Sequence, residues 1–362
     1  MLRHEHDEFE LLNELIATIE RLPDGDARLV EREAAMGSRG RVDAIVEANI
    51  AGNPLRLLVE AKRDAFPRDV REAVWQLRNY LVHADGSGAE VLPFLIARSI
   101  SPGAREILQQ ERVGYHDLGG TLFVPSKHAY ILIDRPPPRK SKKIFTSIFE
   151  GQRGRVVQAM LDRPQQWTGV KELADNLEVS AATASSTLSE MERRDWVEVE
   201  GAGPSKLRRL AAGDRILDEW TSYLAEKGPR KTARYFVPVA STEELARRLD
   251  QACRDANVRY AVTSEVAAQT YAPYLSTISQ LRCRIAPGRA REDALGRLNA
   301  RPVSEGWNLG LLEARSNADV QVGARIDGIA LAPAVQVYLD LIQGAGRSPE
   351  MAAHLRAERL GF

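Results

Sequence analysis

Only two cysteines, Cys253 and Cys283, occur among the 362 residues. Two thiols cannot build the disulfide framework of a small secreted scaffold, and they suit a reducing compartment in which a buried thiol acts as a small hydrophobe. No stretch approaches the roughly 20 apolar residues that span a bilayer. The opening His4-Glu5-His6-Asp7-Glu8 lacks the basic-then-apolar order of a secretory signal. A cytoplasmic chain with no membrane association is expected. Internal repeats and long low-complexity segments are missing as well. So is net charge, since 50 Lys and Arg offset 50 Asp and Glu. Taken alone, that balance speaks against a strongly basic coat for nucleic acid and against an acidic disordered tail.

What is present is ordinary for a globular protein, with 44% hydrophobic and 28% charged residues. The length suits two or three domains. The zero charge is a sum of unlike parts. Residues 1–134 carry 22 acidic and 16 basic residues, residues 135–212 carry 10 and 14, and the remainder carries 18 and 20. The densest basic run is Arg135, Arg139, Lys140, Lys142, Lys143, Arg153 and Arg155, opposed only by Glu150. All but Arg135 follow Pro136-Pro137-Pro138, a stiff linker element. Gly228-Pro229 marks a second break. The expected domains are 1–134, a basic linker 135–149, 150–230 and 231–362.

The first part alternates helix and strand. Residues 7–21 read as an amphipathic helix, 28–34, 42–50 and 55–62 as strands, 68–83 as a helix and 91–97 as an apolar strand. A helix at 102–112 and strands at 113–117 and 121–133 follow. Within this frame stand Asp43, Glu60 and Lys62. Two residues apart on a strand, Glu60 and Lys62 project from one face. Asp43 lies on the preceding strand, and a meander brings it alongside. Two carboxylates and the Ala61 carbonyl form an oxygen-rich set suited to a hard cation, Mg2+ or Mn2+. Such a cation activates a bound water and stabilises phosphate charge. Gln76 and Tyr80 share one face of the next helix. Alternating charges on an exposed strand face give the blander explanation of the same residues, a solvated surface.

Asp43, Glu60-Ala61-Lys62 and Gln76-x-x-x-Tyr80, in the order helix, three strands, helix, strand, resemble the PD-(D/E)xK superfamily of restriction endonuclease-like folds, RecB-type members in particular. The resemblance covers roughly residues 5–134. It implies Asp43 and Glu60 as metal ligands, Lys62 as the catalytic lysine, and Gln76 and Tyr80 as supporting residues. An acidic residue of the first helix often completes such sites, and Glu14 is the candidate. Val42 stands where the motif name has Pro. Nearby, Tyr115-His116-Asp117-Leu118-Gly119-Gly120 could supply ligands or a base, but a glycine-assisted turn explains it more simply. His4-x-His6 could chelate a metal, and solvated histidines near a terminus explain it equally.

The middle of the chain reads as a helix at 152–162, a second helix through Glu172-Leu173-Ala174, and Ser180 capping a third at 181–194. Strands 196–200 and 206–210 flank a Gly201-Ala202-Gly203-Pro204 turn. This order resembles the winged helix-turn-helix of bacterial DNA-binding regulators. The resemblance implies 181–194 as the recognition helix. Ser180, Thr183, Ser185, Ser186 and Thr187 would reach phosphates or base edges, and Lys206, Arg208 and Arg209 of the wing would neutralise phosphates. Protein contact is the alternative use of such a module. DNA is thus the expected partner, the chain nucleoid-associated, and a homodimer expected because winged helices commonly read two half-sites.

After a helix at 213–227, residues 231–362 read as an α/β or α+β domain. Tyr260-Ala261-Val262-Thr263-Ser264-Glu265-Val266-Ala267-Ala268 and Ala332-Pro333-Ala334-Val335-Gln336-Val337-Tyr338-Leu339-Asp340-Leu341 resemble the C-terminal domain of type IV, AbiEi-like antitoxins, a nucleotidyltransferase-like fold. A working transferase needs paired carboxylates on the strand after Thr263-Ser264, but the chain reads Leu281-Arg282-Cys283-Arg284-Ile285 there. A binding or dimerisation platform is expected, with Asp340 structural. Two functions follow. One is a DNA-binding, metal-dependent nuclease in bacterial defence or mobile-element control. The other is a transcriptional regulator of antitoxin type with a non-cleaving nuclease-like domain. A toxin or defence-system protein is a further expected partner.

Overall fold

The computed structural model describes residues 2–36, 40–81, 89–135, 145, 147–275 and 277–362. Pro136–Pro138 and the basic residues Arg139, Lys140, Lys142 and Lys143 lie outside the described residues, as do the side chains of His4 and His6. The chain forms two compact units. One comprises residues 1–148 with 189–197, and the other 149–188 with 198–362.

The first unit runs α1 (Leu2–Glu20), β1 (Asp26–Met36), β2 (Gly40–Ile50), β3 (Asn53–Ala65), α2 (Pro67–Leu81), β4 (Glu90–Ile100), α3 (Pro102–Gln110), β5 (Gly114–Asp117), β6 (Leu122–Pro125) and β7 (Tyr130–Ile133). The strands make one sheet in chain order, β1 through β7. The β3–β4 and β4–β5 pairs are parallel, spanned by α2 and α3, and the others are antiparallel. Leu12, Leu15 and Ile19 of α1 bury one face against Val46, Leu57, Val59 and Phe94. Val70, Ala73 and Leu77 of α2, with Ala104 and Leu108 of α3, cover the other face against Ile45, Leu58, Leu95 and Tyr115. The two-residue period of β3 therefore puts Glu60 and Lys62 on the side of Leu58 and α2. Ser101 starts α3 by accepting from the Ala104 amide at 3.3 Å, followed by Pro102 in the first turn. A Cβ on Gly114 would stand 2.4 Å from the Phe94 ring, so glycine is required there. The single strand expected over 121–133 is instead a hairpin. Pro125, which lacks an amide for the ladder, ends its first arm.

Residues 189–197 belong to this unit. Arg193 Nη2 donates to Asp69 Oδ2 at 2.7 Å and to the Asp64 carbonyl at 3.0 Å, and its guanidinium lies 4.4 Å from the centre of the Phe66 ring. Arg71 pairs with Asp195, and Arg194 Nη2 donates to the Phe145 carbonyl at 2.7 Å.

The second unit begins with α4 (Gly151–Asp162) and α5 (Val170–Leu177). The helix α6 (Ala181–Arg193) and strand β8 (Val197–Glu200) each have residues in both units. β9 (Leu207–Leu210) pairs with β8, and Thr168 and Arg208 exchange backbone hydrogen bonds of 2.9 and 3.0 Å. After α7 (Gly213–Lys227) come β10 (Thr232–Phe236), α8 (Thr242–Asp255), β11 (Tyr260–Thr263), α9 (Ser264–Tyr271), β12 (Leu281–Ile285), α10 (Arg289–Arg297), β13 (Arg301–Pro302) and β14 (Leu309–Leu312). β15 (Ala324–Ile326), β16 (Ile329–Leu331), α11 (Ala334–Ile342) and α12 (Ser348–Leu355) complete it, with a π-helical turn at Arg356–Leu360. The seven strands order as β13-β10-β14-β12-β11-β16-β15. The strand expected over 327–331 is a hairpin, because Asp327 and Gly328 both take positive φ, 49° and 80°, the signature of its two-residue turn. Helix α10 escapes sequence periodicity because only Ala294 and Leu295 are buried in it.

Candidate active site

The β2–β3 register runs as far as Ala44↔Val59, and the next residues in the two strands are Asp43 and Glu60. The ladder stops there, and the Asp43 side chain takes over. Its Oδ2 accepts from the Ala61 amide at 2.7 Å, standing in for a strand carbonyl. Two residues along β3, Lys62 Nζ donates to Glu60 Oε1 at 2.9 Å. Glu60 is 7% exposed. Burial raises its carboxyl above the ordinary range, the charge of Asp43 adds to this, and Lys62 only partly opposes it. Burial pulls the Lys62 ammonium down, but its bond to Glu60 and the charges of Glu60, Asp43 and Glu72 outweigh that and raise it. Tyr80 is raised by burial first and then by Glu60, against a hydrogen bond from the Arg41 amide. Asp43, Glu60, Lys62 and Tyr80 thus share one electrostatic neighbourhood. Gln76 lies half-buried one turn before Tyr80 on α2.

Among the described side chains of the first helix, Glu8 is the acid raised by the charge of Asp43. Burial raises its carboxyl and Asp43 adds to the shift, while Arg32 at 3.3 Å opposes it. Glu14 is exposed. Leu11, Leu12 and Leu15 anchor α1 on the sheet and set which of its acidic residues turns toward β2. No helical spacing in the sequence distinguishes Glu8 from its neighbours.

Two carboxylates that repel each other, one of them raised by burial and by the other's charge, form a donor set whose repulsion a divalent cation would relieve. Each keeps an oxygen beyond the bonds named. Among the described residues no group of three or more His, Cys, Asp and Glu is arranged to hold a metal ion, so the fit is to a pair of carboxylates and the Ala61 carbonyl.

His116 and Asp117 stand apart from this chemistry. His116 is fully buried, with Nε2 3.1 Å from Thr18 Oγ1, and burial together with the charge of Arg21 lowers its pKa to about 4. Asp117 Oδ1 accepts from the Gly119 and Thr121 amides at 2.9 and 3.2 Å, and Oδ2 from Arg105 at 2.7 Å. It organises the turn.

The helical hydroxyls expected to face DNA are largely occupied locally. Ser180 Oγ accepts from the Thr183 amide at 3.0 Å and lies 2.8 Å from Thr183 Oγ1. Ser186 and Thr187 donate to the Thr183 carbonyl at 3.1 and 2.7 Å, and Ser185 is half-buried. Thr187 is fully buried. Arg208 is buried as well, with Nη1 donating to the Lys206 carbonyl at 2.9 Å. Both are therefore removed from the DNA-facing set. Residue 208 is bridged through its backbone to Thr168 and faces inward. Lys206 is half-buried, and Arg209 pairs with Glu198 at 2.5 Å over the Trp167 ring.

In the second sheet, Arg282 and Arg284 occupy β12 beside Thr263. Asp340 Oδ1 accepts from Arg284 at 2.7 Å, Arg230 at 3.1 Å and Gln336 at 2.8 Å, and Oδ2 accepts from Thr263 at 2.7 Å. Burial works against the charge of Asp340, but the two arginines overcome it and lower its carboxyl.

No known protein family and no curated protein matches the chain. Among solved structures, a repair endonuclease from Pyrococcus abyssi is 23% identical over 32% of this chain and 46% of its own, with a TM-score of 0.23. A complex of EndoMS with dsDNA gives 26%, 34%, 45% and 0.23 in the same order. A protein of unknown function, AF1548, is 13% identical over 51% of this chain and 92% of its own, with a TM-score of 0.19. The chain spans less than half the length of the two endonucleases. Superposition at this level establishes no common fold, and the reading of the site rests on its own residues. No helix among the described residues is long and apolar enough to cross a membrane.

Proposed function

We propose that the first unit is a metal-dependent DNA nuclease domain of the PD-(D/E)xK type, joined to a winged helix-turn-helix that binds DNA. The observation that carries this reading is the convergence of Asp43, Glu60 and Lys62, with Asp43 bonded to the Ala61 amide and Glu60 to Lys62. Asp43, Glu60 and the Ala61 carbonyl would hold Mg2+ or Mn2+, with Glu8 nearby as a further acid. When bound, the metal supplies an activated water and stabilises charge on the phosphate. Lys62, which here donates to Glu60, would orient that water and offset phosphate charge. Tyr80 and Gln76 support the arrangement from α2. The order α4, α5, α6, β8, β9, with Thr168 bridged to Arg208, supports a winged helix. Lys206, Arg209 and the exposed Ser180 and Ser186 are its DNA-side residues. Residues 231–362 are read as a nucleotidyltransferase-like platform without transferase chemistry, because Arg282 and Arg284 occupy the strand where carboxylates would be needed.

The test is incision of supercoiled plasmid or linear DNA by the intact chain with Mg2+ or Mn2+. Metal-dependent cutting is expected, and its absence sinks the nuclease reading. One observation favours the alternative of a winged-helix regulator of antitoxin type. The Lys62–Glu60 ion pair holds the lysine and the carboxylate on each other, as a domain that binds without cutting would allow. That reading predicts protection of an inverted repeat near the chain's own promoter, with no strand breakage.

A further inference from the structure

The second unit carries an open cavity of about 730 Å3 that the nuclease reading does not use. Its walls come from the end of α4 and the loop after it, from α5, from α9, and from the segments around residues 320 and 359. Four arginines line it, Arg155, Arg163, Arg259 and Arg359. Among the described residues none of the four is held in an ion pair. Arg155 Nη1 donates only to the Leu177 carbonyl at 3.2 Å, and Arg359 lies 5.9 Å from the centre of the Tyr271 ring. Elsewhere in the same unit Arg230 and Arg284 are tied to Asp340, and Arg356 to Asp218.

Asp162, Glu172 and Glu178 also line the cavity. Gln166 Nε2 engages Glu172 Oε1 at 2.8 Å. Asp162 is open to solvent on one side yet ringed by protein, and this burial raises its carboxyl to about 7 against hydrogen bonds from Gln158 and the Val335 amide. The balance near neutrality is cationic. Val322, which is exposed, and the partly buried Tyr271 supply an apolar wall to the same cavity.

We infer that this cavity is a binding site for an organic phosphate of mononucleotide size. Planar guanidinium donors from separate elements match phosphate oxygens better than a single ammonium would. The volume falls in the range of small-molecule sites, roughly 300–1,000 Å3. The apolar wall accepts the ring that inorganic phosphate lacks. Ligand in this cavity would tie α4 and α5, the first two helices of the proposed DNA-binding module, to the C-terminal sheet. This site does not depend on cleavage activity.

Titration calorimetry of the intact chain with AMP and ATP tests the inference, with adenosine and inorganic phosphate as contrasts. One saturable site is expected for a nucleotide, with affinity at least about tenfold above that for adenosine or phosphate alone. The double variant Arg259→Ala/Arg359→Ala alters two exposed side chains and is expected to keep its melting temperature while losing about tenfold or more in nucleotide affinity. Asp162→Asn removes a negative charge and is expected to tighten binding. Absence of saturable binding up to about 1 mM nucleotide, a Kd at which barely 4 kcal/mol is realised, overturns the inference. So does an unchanged affinity in the double variant, or loss of DNA binding in that variant without any nucleotide binding in the parent, which would make the arginines part of a DNA surface.

Discussion

Replacing Glu60 by Gln asks whether the carboxylate pair is strained in the way its surroundings indicate. Glu60 is buried, and the burial and the charge of Asp43 together outweigh its bond to Lys62, because its carboxyl is raised rather than lowered. A neutral side chain of the same shape removes the desolvation and repulsion, while its amide oxygen still accepts from Lys62. Stabilising replacements of this kind typically give about 0.5–2 kcal/mol, and the partial loss of the Lys62 ion pair places the expectation near the middle, about 1 kcal/mol. In a unit of this size that is an increase of about 2–4 °C in melting temperature. The pH dependence follows from the same shift. A raised carboxyl means that the folded state binds the extra proton, so stability is highest below the ordinary carboxylate range. It falls as pH rises through the raised value. Glu60→Gln is expected to flatten that fall. The assay is thermal unfolding of both proteins in metal-free buffer and with Mg2+ or Mn2+, across pH 4 to about 8. Metal is expected to stabilise the parent and to have less effect on the variant. A variant less stable than the parent without metal would refute the reasoning, because Glu60 would then be an anchor for Lys62 rather than a strained acid.

Further outcomes follow from particular contacts. Glu8→Gln is expected to lower metal-dependent cleavage by about 10–100-fold, whereas Glu14→Gln leaves it unchanged; equal effects in a rate comparison would contradict the placement of Glu8 beside Asp43. Asp340→Asn strips the charge facing Arg284 and Arg230 and is expected to cost about 3–5 kcal/mol, read from the denaturant midpoint. His116, lowered to about 4, contributes stability that is complete above the ordinary histidine range and is lost as pH falls from about 6.5 to 4. An NMR titration placing His116 near 6.5 would contradict its burial.

Much of the first unit was legible because its elements declare their periods. The alternation of Val42, Ala44, Val46 and Ala48 and the apolar spacing of α1 lead directly to strand and helix, and Glu60-x-Lys62 puts two side chains on one face wherever that strand sits. The pairing of Asp43 with the Ala61 amide was only partly legible, since it depends on where the β2–β3 ladder ends. Glu8 was hidden for a related reason: α1 carries several acids, and its docking on the sheet decides which one approaches Asp43. Arg208 and Thr187 misled through residue type. A basic strand residue and a helical hydroxyl look solvent-facing, but the Thr168 bridge turns Arg208 inward, and Thr187 satisfies its hydroxyl on the Thr183 carbonyl, which permits burial. Arg-rich α10 shows the converse, a helix held by two buried residues whose composition gave no amphipathic stripe.

The nuclease assignment stands or falls on Lys62. The decisive measurement is the rate of DNA strand cleavage under single-turnover conditions with Mg2+ or Mn2+, for the parent and for Lys62→Ala, each confirmed as folded by its thermal transition. Cleavage by the parent and a loss of about 100-fold or more in Lys62→Ala, worth about 2.7 kcal/mol of barrier, is the result that the Asp43–Glu60–Lys62 arrangement predicts. Equal cleavage by the two proteins, or none by the parent, would contradict it.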